Sequence, residues 1–273
     1  VKNIIYQYWK GPLKPGVVTS TKLMKEYADR IGAEYRFDHN IEIASKTVNV
    51  PIYYEPANPL VDSSFDEYDN VALIDIDVFP VDGLTEDLFE AHKGKDAGIC
   101  SEPMQPRFRQ IYNVAGINNQ ADRRWCSLLK QVWNIDYSYD DEGRPMVYNT
   151  GVMIFSKKGL KKAKETWPKF QLYVNAIKNN QFPNFYALYQ DYASAFLHIN
   201  GYEFERMDND WNRYVHKLGS SPNATINDTR TENTKFVHIM FRTADDWDEE
   251  TLYRITNLPV EEWKPPVDEK WPN

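Results

Sequence analysis

Apolar positions along the chain fall into short continuous runs separated by stretches of helical spacing. Residues 3–9 are an almost unbroken apolar and aromatic run closed by Lys10-Gly11-Pro12, the pattern of a buried strand followed by a turn. Leu23, Met24, Tyr27 and Ile31 then recur on one helical face. Thr19 or Ser20 stands where a cap belongs, the helix runs to Arg30, and Gly32 ends it. A second strand at 33–37 completes a βαβ unit, which predicts a parallel sheet binding its ligand at the C-terminal ends of the strands.

Further along, residues 52–54 read as helical and are expected to be cut short by Pro56 and Pro59. Val71-Ala72-Leu73-Ile74 predicts a buried central strand that leads without a break into Asp75-Ile76-Asp77 and Val78-Phe79-Pro80. A short amphipathic helix at 82–92 and a buried strand at 97–100 follow. From 101 to 144 the pattern is irregular, with a helix at 123–132 and loops that would cover a site. Regular structure resumes with a strand at 146–156, a lysine-rich helix at 159–167 and a helix at 185–200 that turns Tyr189, Tyr192, Ala193, Phe196 and Leu197 inward. Strands at 204–207 and 236–240 close the pattern, and an extended Pro-rich segment is expected from Pro259 onward. No repeat or Gly/Ser-rich linker marks a second domain. The expectation is one α/β domain over 1–258, with a mostly parallel central sheet flanked by helices, and a tail at 259–273.

The 273 residues are 42% apolar and 26% charged, a globular balance rather than a disordered one. With a net charge of -8 and no long basic stretch, nucleic acid is not an expected partner. Lys157, Lys158, Lys161, Lys162 and Lys164 read as a solvated helix face. An acidic chain that binds an anionic ligand must supply local positive charge, and a metal ion is the simplest source. Eighteen Tyr and 8 Trp suit stacking on sugars and bases, although such rings also build ordinary cores. Cys100 and Cys126 read as reduced core thiols. No apolar run approaches the ~20 residues of a membrane span. The first strand begins at once, so no signal peptide and a cytoplasmic location are expected. Asn223 and Asn227 match the short glycosylation acceptor pattern, which recurs by chance.

Asp75 and Asp77 are the strongest chemical signal. Were the strand regular, both carboxylates would point to one face and repel one another. Burying such a pair costs several kcal/mol per charge unless a cation sits between them. A hard divalent ion shared with phosphate oxygens resolves the conflict. The bland alternative is a solvated pair or a helix cap; the strand-edge context argues against it.

The segment 67–79, which contains Asp75-Ile76-Asp77, resembles the DXD region of GT-A-fold glycosyltransferases, in particular the glycogenin and galactosyltransferase-like family 8 and its viral and bacterial relatives. Tyr148-Asn149-Thr150-Gly151-Val152-Met153 is similar to that family's donor- and acceptor-contacting strand. Gln190-Asp191-Tyr192-Ala193 is similar to its helix start beside the reaction centre, Trp211-Asn212 to its Trp-Asn pair, and Phe236-Val237-His238-Ile239 to its late histidine strand. Together the matches span about residues 3–242, and their order carries more weight than any single one.

The resemblance implies a single Rossmann-like GT-A domain that transfers a sugar from a UDP- or GDP-sugar to a hydroxyl of a carbohydrate-type acceptor. It implies metal ligands at Asp75, Asp77 and His238, which suit Mn²⁺ or Mg²⁺. A core histidine is the competing reading of His238. Nucleoside contacts are expected from Tyr6, Gln7, Tyr8, Asp38 and Ile76, with core aromatics and a turn carboxylate as the alternative. Asn149, Thr150, Gly151, Gln190 and Trp211 would contact donor sugar or acceptor, and Asp191 would be the catalytic carboxylate, helix capping being its alternative. Two features depart from the family. His238 is followed by Ile-Met-Phe-Arg-Thr with no Gly or Lys in the phosphate-binding positions, which leaves Arg242 as the phosphate-binding cation, and Gln190-Asp191 inverts the usual order. Inversion and retention are not separated. The competing classes are a nucleotidyltransferase or metal-dependent phosphohydrolase acting on nucleotide-sugars, and a non-catalytic carbohydrate-binding protein.

Overall fold

The computed structural model describes residues 1–44, 52–218, 225–241 and 244–263. Strand β1 (Asn3–Trp9) is buried on both faces, with Ile4, Tyr6 and Tyr8 packing to one side and Ile5 to the other. Helix α1 (Pro15–Arg30) starts at Pro15, so Thr19 and Ser20 lie inside it rather than capping it. Proline suits that first position, because its fixed φ is helical and its missing N–H has no intrahelical partner to lose. Strand β2 (Glu34–His39) follows. The stretch Ile52–Leu60 is a 3₁₀ helix that contains Pro56 and Pro59 instead of ending at them.

Strands β3 (Asn70–Ile74), β4 (Val78–Pro80) and β5 (Ala97–Ser101) come next. The helix expected at 82–92 shrinks to a 3₁₀ turn at Leu88–His92, since Gly83 adopts φ +69° and Asp87 caps the turn through Phe89. The irregular region holds α2 (Gln105–Ile111) and a longer α3 (Asn119–Trp133), whose Asn118 cap accepts from the Ala121 N–H at 2.9 Å. Strand β6 (Tyr148–Ser156) and the lysine-rich α4 (Lys157–Thr166) are followed by α5 (Phe170–Asn179), a helix the sequence reading does not anticipate. The single helix expected at 185–200 is a 3₁₀ turn at Asn184–Ala187 and then α6 (Tyr189–Phe196), divided where Leu188 turns extended.

Strands β7 (Phe204–Arg206), β8 (Arg213–Leu218), β9 (Thr225–Asp228) and β10 (Phe236–Met240) precede α7 (Glu249–Asn257) and α8 (Val260–Trp263). The described part of the Pro-rich segment is therefore partly helical, and it anchors Trp263 in an apolar cluster with Leu252 and Ile255. Residues 264–273 lie outside the described residues.

The strands form two sheets. The larger has the order β2-β1-β3-β6-β5-β7 and is parallel except at β6, which runs antiparallel to both neighbours. Its two faces carry separate cores. One is rich in aromatics from α3, α5 and α6, and the other packs β1, β3 and β6 against α1. The smaller sheet, β4-β10-β8-β9, is not foreseen from the pattern, because β8 and β9 lack an apolar run. The chain crosses from the first sheet to the second between β3 and β4. That crossing is Asp75-Ile76-Asp77.

Candidate active site

Asp75 and Asp77 do not lie on a continuing strand. Val78 N–H donates to the Asp75 carbonyl at 3.2 Å, closing a turn in which the two carboxylates occupy the first and third positions. Each end of the turn is pinned to a different sheet. Asp75 N–H donates to the Gly151 carbonyl of β6 at 2.9 Å, and the Asp77 carbonyl accepts from Ile239 N–H of β10 at 2.8 Å. Register then pairs His238 with Val78 across β10 and β4. The ligating atoms of Asp75, Asp77 and His238 consequently fall within 4.8 Å of one another, and the imidazole Nε2 stands 3.1 Å from an Asp77 carboxylate oxygen.

The imidazole is held from behind. Its Nδ1 meets the Asn212 side-chain oxygen at 3.1 Å, and that acceptor fixes the tautomer in which Nδ1 carries the proton and Nε2 faces the carboxylates. Asn212 in turn donates to Asn149 Oδ1 at 2.9 Å, and Asn149 donates to Glu102 at 2.8 Å. Glu102, Asn149, Asn212, His238 and Asp77 thus form one hydrogen-bonded line from β5 to the turn. Gly151 lies beneath the imidazole, where a Cβ would come within 2.6 Å of His238 Cε1.

Charge accumulates here. Burial, helped by the Asp77 charge and opposed by His238, pushes the Asp75 carboxyl up to about 7. Burial works against a charged His238, but Asp77, Asp75 and Glu102 outweigh it and raise the imidazole to about 9. A protonated histidine between two carboxylates is what such a site holds when no metal supplies the positive charge. Two carboxylates and an imidazole with an oriented Nε2 fit a divalent cation such as Mn²⁺ or Mg²⁺. Asn212→Ala is expected to weaken metal binding ~10- to 100-fold by releasing the imidazole. Titration of Mn²⁺ followed by calorimetry reads this directly; equal affinities would show that the hydrogen bond orients nothing.

Asp191 lies in the first turn of α6, where Leu188 is the cap residue; its carboxylate interacts with its own backbone N–H, and its Oδ2 has no hydrogen-bond partner among the described residues. Burial pushes its carboxyl up to about 8, with Arg109 opposing the shift and Asp122 and Glu102 adding to it. A carboxyl raised on folding favours the native state only while protonated. Stability is therefore expected to fall as pH rises from the unfolded-state value of ~3.9 towards about 8. The Asp191→Asn variant has no proton to lose there and should show a flatter dependence of Tm on pH across that window. Thermal unfolding at a series of pH values makes the measurement, and parallel curves for variant and wild type would contradict it.

Several residues expected at the site have partners within the protein. Tyr6 donates to Asp38 at 3.2 Å and stacks edge-on against Phe65, while Arg36 occupies both oxygens of Asp38. Gln7 is fully buried and donates to the Asp75 carbonyl at 3.1 Å, so it positions the turn. Tyr8 is buried with a hydroxyl that has no partner among the described residues, and Ile76 is half-buried in the turn itself. Thr150 is buried in β6, and Gln190 is half-buried beside Asp191. Trp211 is a core residue packed edge-on against Phe236. Arg242 lies outside the described residues. Glu102 is not singled out by the sequence, and Asn212 enters there only as the second residue of the Trp-Asn match, without a role of its own. Glu102 follows the apolar strand at 97–100 much as Asp75 follows 71–74, and that parallel is the available signal.

Comparison with solved structures decides the fold. Mouse xyloside xylosyltransferase 1, in its apo form, superposes with a TM-score of 0.51 over 87% of this chain and 97% of its own, at 13% identity. The bifunctional glycosyltransferase WbbM superposes at 0.50 over 96% of this chain and 50% of its own, also at 13% identity. The fold is GT-A. No protein-family model matches the sequence, and no curated protein matches it either. Within the GT-A frame, the β3–β4 crossing places the Asp turn at the C-terminal edge of the main sheet, where open α/β sheets bind ligands. Both cysteines are free and buried, and among the described residues no helix is long and apolar enough to cross a membrane.

Proposed function

We propose that the protein is a metal-dependent glycosyltransferase with one catalytic domain, expected over 1–258 and carried on to Trp263 by α8, moving a sugar from a nucleotide-diphosphate sugar to a hydroxyl of a carbohydrate acceptor. The observation that carries this reading is the convergence of Asp75, Asp77 and His238 at the crossing between the sheets of a GT-A fold.

Glycosyl transfer breaks the bond between the anomeric carbon and the diphosphate, and negative charge grows on the departing phosphate. A divalent ion held by Asp75, Asp77 and His238 would neutralise that charge. The chain's own residues do the rest. Gln7 and Gly151 fix the turn through the Asp75 backbone, and Asn212 keeps Nε2 aimed inward. Asn149 has its oxygen engaged by Gly151 and Asn212 and its amide by Glu102, so it acts as a brace, and its contact to a sugar is secondary to that role. For the acceptor proton two carboxyl groups stand ready. Asp191, raised to about 8, sits near the pH at which a general base works best. Glu102, also raised by burial, lies in the same line as the metal-binding histidine.

The direct test is hydrolysis of UDP- and GDP-sugars with Mn²⁺, with Mg²⁺, and after chelation. Turnover of at least one donor that chelation abolishes and Mn²⁺ restores is the expected result. Turnover indifferent to chelation, or none with any donor, would sink the reading.

A further inference from the structure

Strand β8 carries a second histidine that faces the same way as His238. Val215, Val237 and Ile239 fill the core beneath α7, so the alternate positions Tyr214, His216, His238 and Met240 share the opposite face of the small sheet. Register sets Tyr214 beside His238 and His216 beside Met240. His216 thus stands one strand across and two residues beyond His238, ~8 Å away between Cα atoms by ordinary sheet spacing. The two strands are parallel, so it lies towards the C-terminal end of β10. Met240 beside it is 40% exposed, and the core does not cover this end of the face.

The imidazole has no polar partner to serve inside the protein. It packs edge-on against Tyr214, with ring centroids 5.7 Å apart, and that contact sets its position. Neither nitrogen has a hydrogen-bond partner among the described residues; Nδ1 is enclosed, whereas Nε2 is not. Burial, with the charge of His238 adding to it, holds the ring below its usual pKa range, so the two imidazoles are near enough to interact. The guanidinium groups close by are already engaged, Arg213 by Asp210 and Arg230 by Asp228.

We infer that His216 is a diphosphate-binding residue, its Nε2–H donating to a phosphate oxygen of the donor on the side of the metal site that faces the C-terminal end of β10. Charge decides between ligands here. The carboxylates of Asp75 and Asp77 offset a divalent ion, so a diphosphate arriving there brings negative charge that still needs donors. Ile239, Met240 and Phe241, which follow His238, offer no side-chain donor. A hydrogen bond from an imidazole to an anionic oxygen is of the stronger, charge-assisted kind, and the anion also offsets the positive charge beside the ring. A sugar hydroxyl does neither, so phosphate is favoured over acceptor. The identity of the ligand rests on the glycosyltransferase reading.

Calorimetric titration of the full chain with Mn²⁺ alone, and with UDP and GDP in the presence of Mn²⁺, makes the test. At least one nucleotide is expected to bind the wild type. His216→Phe keeps a ring against Tyr214 and removes both nitrogens, and it should bind that nucleotide ~10- to 100-fold more weakly. His216→Ala carries the same expectation should the larger ring disturb folding. His216→Gln places an amide NH₂ near the position of Nε2 and should recover most of the affinity. Mn²⁺ alone should bind wild type and variants equally, which a general lesion in the small sheet would not permit. Unchanged nucleotide affinity in the Phe and Ala variants, a matching loss of Mn²⁺ affinity, or no recovery in His216→Gln would each overturn the inference and leave the glycosyltransferase reading standing. Failure of both nucleotides to bind the wild type would overturn the inference and the reading together.

Discussion

Asp77→Asn is expected to lower kcat/KM for donor hydrolysis by about 10³-fold while the protein remains folded. The turn gives the reason. Asp77 contributes its carbonyl to Ile239 and its carboxylate to the cluster, and the substitution keeps the first and neutralises the second. Its side chain is 40% exposed, so little packing depends on it. What disappears is one of two anionic ligands, together with the partner that orients His238 Nε2. Excess Mn²⁺ should recover only part of the loss, since a neutral amide binds a hard cation weakly. Steady-state kinetics over a range of Mn²⁺ concentrations, with thermal unfolding as a folding control, make the comparison. Wild-type activity in the variant would remove Asp77 from the site.

The second large effect is predicted for Gly151→Ala. The added methyl would sit 2.6 Å from His238 Cε1, 2.7 Å from its Nδ1 and 2.8 Å from Asn149 Oδ1. None of these atoms can yield easily. The imidazole is buried and tied to Asn212, and Asn149 is tied at both ends of its amide. Overpacking of this kind costs about 1–3 kcal/mol. Displacing the imidazole should also weaken metal binding ~10- to 100-fold, a loss that a purely structural lesion elsewhere would not produce. Denaturant unfolding and Mn²⁺ titration of the same variant separate the two contributions. An unchanged Mn²⁺ affinity would show that the close approach at Gly151 has no bearing on the ligand set.

Legibility in the sequence followed the apolar runs. Residues 71–74 and 236–240 stand out because each is a continuous hydrophobic stretch, and the two Asp residues after the first are conspicuous against it. The turn that brings them together was not legible, since it depends on β3 and β4 belonging to different sheets. The second sheet was hidden because β8 carries Arg, His and Lys and pairs with a distant strand. Tyr6, Asp38 and Trp211, whose types suit a nucleotide or a sugar, have partners inside the protein that spacing along the chain does not announce. Glu102 and Asn212 show the converse. Each is a single polar residue whose importance lies in what it touches after folding; the sequence offers only the place of Glu102 after an apolar strand and that of Asn212 in a Trp-Asn pair.

The position of Asp75-Ile76-Asp77 between two sheets has a mechanical meaning. Asp75 is backed by the larger sheet, whereas Asp77 and His238 belong to the smaller one. An ion bound by all three would act as a rivet joining two separately hydrogen-bonded bodies. Because it binds only the joined arrangement, it would suppress openings in which β8, β9 and β10 swing or peel away from the main sheet. Amide exchange in those strands should therefore slow on adding Mn²⁺ more than exchange in β1 and β3, making the small sheet the part of the molecule that senses whether the enzyme is charged with metal.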